Sequence, residues 1–115
     1  MYITDLSKAE QIIPEMEGAK DIIKQVPLSK NNGAPVFSFR VFTIKPGGYT
    51  PSHKHPFEHM NYIIKGKGVL VMNDEEHPVK RGDFALVLPN EQHQYKNASD
   101  NEDFVMICAV PEEYE

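Results

Sequence analysis

Breaks in the backbone come at short, even intervals along this chain. Asn31-Asn32-Gly33, Pro46-Gly47-Gly48, Lys65-Gly66-Lys67-Gly68, Asn73-Asp74-Glu75, Arg81-Gly82-Asp83 and Pro89-Asn90 all carry turn-forming residues. The runs between them carry no convincing helical pattern and are rich in β-branched and aromatic residues. Ala19 to Leu28 holds Ile22, Ile23 and Val26, with Pro27 marking an edge or a bulge. Val36 to Ile44 alternates, with Val36, Ser38, Arg40, Phe42 and Ile44 on one face and Phe37, Phe39, Val41 and Thr43 on the other. Both faces are largely apolar, so this strand is expected to be covered on both sides. Met60 to Ile64, Val69 to Met72, Glu76 to Val79, Phe84 to Leu88, His93 to Lys96 and Phe104 to Val110 read as further strands. Ser7 to Ile13 can form one helical turn or a short edge strand, and Glu112 to Glu115 reads as a frayed tail. About eight to ten strands at this spacing predict an all-β sandwich or barrel.

Charge and size narrow the function classes. With 115 residues the chain is expected to be one domain, spanning 1–115. There are 12 Lys and Arg against 17 Asp and Glu, a net charge of −5, which argues against nucleic acid or an anionic membrane as the main partner. No apolar run approaches the roughly 18 residues of a membrane span, and the first residues lack a signal-peptide pattern. The lone cysteine, Cys108, fits a reducing, cytoplasmic setting.

The histidines are unevenly spread. Three of the five fall in His53-Lys54-His55-Pro56-Phe57-Glu58-His59, a fourth is His93, and only His77 stands apart. Residues two apart on a strand point the same way, so His53 and His55 can share a metal. Straight continuation would carry His59 roughly 13 Å along the strand. A corner at Pro56-Phe57 brings it back, since proline cannot donate to a ladder and favours a bend. His93 must then open a neighbouring strand. Four neutral imidazoles are a ligand set for one divalent transition metal. They leave its full positive charge in place, so the site is a Lewis acid, and a six-coordinate ion retains two open positions. Ligation needs the neutral ring, so metal affinity is expected to fall below pH ~6.5.

The same residues resemble the two motifs of the cupin superfamily. The first, G-x5-H-x-H-x3/4-E-x6-G, is met by Gly47, His53, His55, His59 and Gly66, within residues 47–66. The second, roughly G-x5-P-x-G-x2-H-x3-N, is met over residues 82–97 by Gly82, His93 and Asn97. Three departures stand out. The usual glutamate ligand is missing, its two places being held by His59 and Met60; Leu88 and Asn90 replace the Pro and Gly of PxG; and the Gly–Pro spacing is one residue longer. The first departure resembles small single-domain cupins with a four-histidine centre. That resemblance implies a double-stranded β-helix, or jelly-roll, barrel. It implies His53, His55, His59 and His93 as ligands, with manganese favoured over iron, nickel, copper and zinc. It also implies a homodimer joined partly through strands in residues 1–45.

Other residues keep two readings open. Glu58 can accept from an imidazole N–H, but parity sends it away from His59, towards solvent. Tyr95 shares parity with His93, so it either lines the cavity or packs in the core. Phe104, Met106 and Cys108 alternate on one face and can form an apolar pocket wall, with Cys108 either an oxidisable thiol or a small buried hydrophobe. Arg40, inside an apolar strand, either anchors a substrate carboxylate or pairs with an internal acid. His77 is expected to be exposed. No general base is evident. The leading expectation is a metal-dependent, dioxygenase-like oxidoreductase acting on a small oxygen-bearing molecule. An isomerase or decarboxylase working through an enolate stands behind it, as does a non-catalytic module binding a sugar or other small ligand.

Overall fold

Short β-branched runs between turns give strands and almost nothing else. A computed structural model describes all 115 residues. The strands are β1 (Lys20–Leu28), β2 (Phe37–Tyr49), β3 (His59–Lys65), β4 (Lys67–Met72), β5 (Glu75–Lys80), β6 (Phe84–Val87), β7 (His93–Lys96) and β8 (Phe104–Pro111). Helix is confined to three-residue 3-10 turns at Leu6–Lys8, Lys30–Asn32 and Glu112–Tyr114. One curled sheet runs β5-β4-β7-β2-β8-β3-β6, with β1 added to β2. All pairings are antiparallel. The fold is the all-β jelly-roll barrel that the motifs implied. Near the N-terminus a 3-10 turn and a single bridge, Ile12 to Lys24, realise both forms open to that stretch.

Three expectations need correction. Pro46-Gly47-Gly48 is not a turn, because β2 continues through it to Tyr49. Between the pairs Lys20–Tyr49 and Ile22–Ile44, β2 carries Lys45, Pro46, Gly47 and Gly48 opposite Asp21 alone. The extra residues are absorbed as a bulge, with Gly47 at φ 76°. A Cβ on Gly48 would sit 2.7 Å from the Lys20 carbonyl oxygen. The bulge re-aims β2 from β8 towards β7, so one strand serves both walls of the barrel.

The second correction concerns the two apolar faces of β2. Ser38, Arg40, Phe42 and Ile44 are buried, but Phe37 and Phe39 are exposed. Further along the same face Val41 is buried and its β1 partner Gln25 is capped by the Leu6 and Ala9 carbonyls, so the expected cover holds there and fails only at Phe37 and Phe39. Thirdly, the tail is docked rather than frayed. Tyr114 stacks on Phe57 with ring centres 4.2 Å apart, Lys24 Nζ donates to the Glu115 carbonyl, and Ser38 Oγ donates to the Glu115 carboxylate.

The core lies inside the curl. Ile44, Ile63, Val87 and Phe104 are fully buried, each contributing about 1.5–3 kcal/mol through removal from water. Close backbone approach closes one end. Gly66, at φ 77°, lies so near Asp103 that an added Cβ would meet its carbonyl oxygen far inside contact distance. Gly66→Ala therefore combines left-handed strain with a backbone clash, and should cost about 1–3 kcal/mol or more in denaturant unfolding. The same change at Gly47, where a Cβ meets nothing within 4 Å, adds only the strain and should cost less.

Candidate metal centre

Alternation sets the site. From His53 to Met60 burial alternates residue by residue, with His53, His55, Phe57 and His59 turned inward and Lys54, Pro56, Glu58 and Met60 outward. The chain bends at Pro56-Phe57, as proline chemistry predicted, and β3 then begins at His59. A two-way backbone bridge ties the cluster to β7. His53 N–H donates to the His93 carbonyl at 3.0 Å, and His93 N–H donates to the His53 carbonyl at 2.9 Å. His93, distant in sequence, is thereby fixed beside the other histidines.

The candidate ligand atoms of His53, His55 and His93 lie within 4.8 Å of one another, a group able to hold a metal ion. His59 adjoins this trio, its ring centre 4.1 Å from that of His55 and 5.4 Å from that of His93. Two backbone carbonyls orient the rings. His55 Nδ1 is 2.7 Å from the Phe57 carbonyl and His93 Nδ1 is 2.8 Å from the Glu91 carbonyl, so each Nδ1 carries the proton and donates it. Each Nε2 is left with a free lone pair. That of His55 is buried without any hydrogen-bond partner, the orphaned atom that a cation would satisfy. The donor set fits a divalent transition metal.

Burial favours the neutral form of His53, His59 and His93. Desolvation, followed by His93 and His55, lowers His53 to about 4. Desolvation, with the charges of His55 and Arg40 behind it, lowers His59 to about 3. Burial also lowers His93, against the pull of the Glu91 carbonyl. At His53 and His59, protons compete with a metal only well below pH 6.5.

The histidines open into a cavity of about 130 Å3, room for a small molecule rather than a polymer. Tyr95 lines it, and its hydroxyl donates to Asn61 Oδ1 at 2.9 Å; burial raises its pKa, with Cys108 adding to the rise. Met106 and Cys108 form the apolar wall as expected. Phe104 does not reach the cavity; it packs beneath Tyr95 with ring centres 6.1 Å apart. Glu58 and His77 are exposed, and His77 Nε2 comes within 3.9 Å of Glu75. Arg40 lines the cavity and pairs with no internal acid. Sequence reasoning missed Phe57 and Asn61 as lining residues, although both share the parity of His59. Asn90 takes the left-handed conformation, φ 66°, that its glycine-like place requires.

Residues 40–110, more than half the chain, match the family described as the cupin domain. The chain belongs to the cupin family. This cupin is 28% identical to an oxalate-binding protein of Thermotoga maritima, over 90% of each chain. Its fold superposes on the polyketide cyclase RemF from Streptomyces resistomycificus with a TM-score of 0.90, at 24% identity, covering 96% of this chain and 79% of that one. A structure described as a predicted oxalate decarboxylase, also from Thermotoga maritima, matches with a TM-score of 0.80 at 27% identity, over 96% of this chain and 98% of that one. The cupin spans only 53% and 56% of two further curated relatives. No helix is long and apolar enough to cross a membrane.

The lowered histidines have a measurable consequence. Between pH 6.5 and their native values the unfolded state binds more protons than the folded one, so stability falls as pH drops through that window. For protein treated with a chelator, the melting temperature should hold steady above pH 6.5 and decline from 6.5 to 5, above most of the carboxylate range. A His53→Gln/His59→Gln variant should lose most of that decline.

Proposed function

We propose that this cupin is a metal-dependent oxidoreductase, dioxygenase-like, acting on a small oxygen-bearing molecule. His53, His55 and His93 hold one divalent metal, with His59 as the fourth ligand and manganese the favoured ion. The observation that carries this reading is the buried, unpartnered Nε2 of His55, beside the imidazoles of His53, His59 and His93 on the wall of a cavity. When bound, such an ion supplies Lewis acidity and a one-electron redox site that can bind dioxygen. The protein's part is to fix the rings through the Phe57 and Glu91 carbonyls and to line the pocket with Met106 and Phe57 against water.

Elemental analysis of the purified protein should find about one divalent transition metal per chain. His59→Ala should lose most of it; full retention would sink the four-ligand assignment. Oxygen uptake with catechols, 1,3-diketones or styrene-like alkenes tests the reaction class. A second reading, metal-dependent decarboxylation or simple binding of a small acid, draws support from the oxalate-binding relative. It expects saturable ligand binding with no oxygen consumed.

The whole chain, 1–115, acts as one cupin domain that pairs with a second copy of itself. An apolar row crosses the outer face from β1 to β6. Leu28 pairs with Phe39, Phe39 and Met60 both flank Ala109, and Met60 pairs with Leu86. Leu28, Phe39, Met60 and Leu86 are all exposed. A contiguous stripe of this kind marks a protein interface, and β1 and β2 supply its N-terminal share. Light scattering should give a dimer mass for the parent protein and a monomer mass for Met60→Glu/Leu86→Glu.

A further inference from the structure

Arg40 lines the cavity with only 7% of its surface exposed, and no anion faces it. Its Nε has no hydrogen-bond partner. Nη2 reaches Cys108 Sγ at 2.9 Å and His59 Nε2 at 3.5 Å, and the guanidinium carbon lies 5.2 Å from the centre of the Phe42 ring. None of these is a counter-charge. Sulfur is a weak acceptor, and burial pushes the Cys108 thiol up against the pull of Arg40, which keeps it neutral. Glu115, docked beside Ser38 on the same strand, spends its carboxylate on Ser38 Oγ and its carbonyl on Lys24 Nζ. No carboxylate lines the cavity at all.

A guanidinium does not give up its proton at ordinary pH, so Arg40 stays charged where it is. Burying an uncompensated charge is strongly destabilising, and such costs persist where a bound ligand removes them. The planar N–H fork matches a carboxylate, which it can bind through two parallel hydrogen bonds. The short distance from Nη2 to His59 Nε2 places that anion next to the ligand nitrogens. A metal on that nitrogen would also take its lone pair from Arg40, leaving sulfur as the remaining acceptor.

We propose that Arg40 anchors the carboxylate of a small acid substrate, held between its guanidinium and the histidine cluster. This rests on the metal reading above and names the substrate class for the same site. Arg40 sets specificity by charge: an acid enters and its uncharged analogue does not.

Oxalate and oxamide, similar in shape but different in charge, are suitable probes for calorimetric titration of the metal-loaded protein. Metal content is checked in every variant. The parent should bind oxalate at least tenfold more tightly than oxamide. Arg40→Met should lose at least tenfold in oxalate affinity with its metal retained, and Arg40→Lys, which keeps the charge without the fork, should fall between. Melting in the absence of ligand supplies a second readout. Arg40→Met should be as stable as the parent or more so, because it removes an unpaired buried charge. Equal oxalate affinity in parent and Arg40→Met, or a marked loss of stability in Arg40→Met, would overturn the anchor. Failure of the parent to hold any divalent metal, with oxalate binding that still depends on Arg40, would support the anchor while overturning the metal reading.

Discussion

The paired backbone hydrogen bonds between His53 and His93 hold this site together. They join the stretch after β2 to the first residue of β7, alongside the Thr50 N–H bond to the Tyr95 carbonyl at the cavity wall. With that bridge made, each histidine needs only local chemistry to face inward. His55 follows by alternation, His59 by the bend at Pro56-Phe57, and the ring planes by two carbonyl acceptors.

The barrel around the bridge depends on one long strand. β2 meets β1 and β8 through most of its length, then meets β7 at Tyr49 after its bulge. The same strand carries Arg40 opposite Cys108, and Cys108 is flanked on the far side by Asn61 of β3. Three non-local neighbours therefore form one inward row beside the histidines. The cavity therefore sets a guanidinium beside four imidazoles, with no acid in its lining.

Much of this was legible in the primary structure, because period-two alternation and turn chemistry act locally. The strand positions, the shared facing of His53, His55 and His59, the role of Pro56 and the left-handed Asn90 all follow from residues within a few places of one another. What was misjudged depends on distant partners. The glycines after Pro46 look like a turn until Lys20 and Asp21 are laid against them. Phe37 and Phe39 look like core residues, because an apolar face has the same pattern whether covered by its own chain or left bare. Arg40 could not be assigned while its neighbours across β8 and β3 were unknown. Asn61 needed only the parity of His59 carried one step further.

The docked chain end has one more consequence. Tyr114 lies flat on Phe57, and Phe57 lies flat on His55, with ring centres 4.2 Å apart at both contacts. Three aromatic plates make a column from the last turn of the chain to a nitrogen donor. The imidazole is thus braced from outside the barrel as well as from within. A small displacement of the closing residues would tilt that ring, so the orientation of a donor atom is tied to the seating of a segment remote from it in sequence.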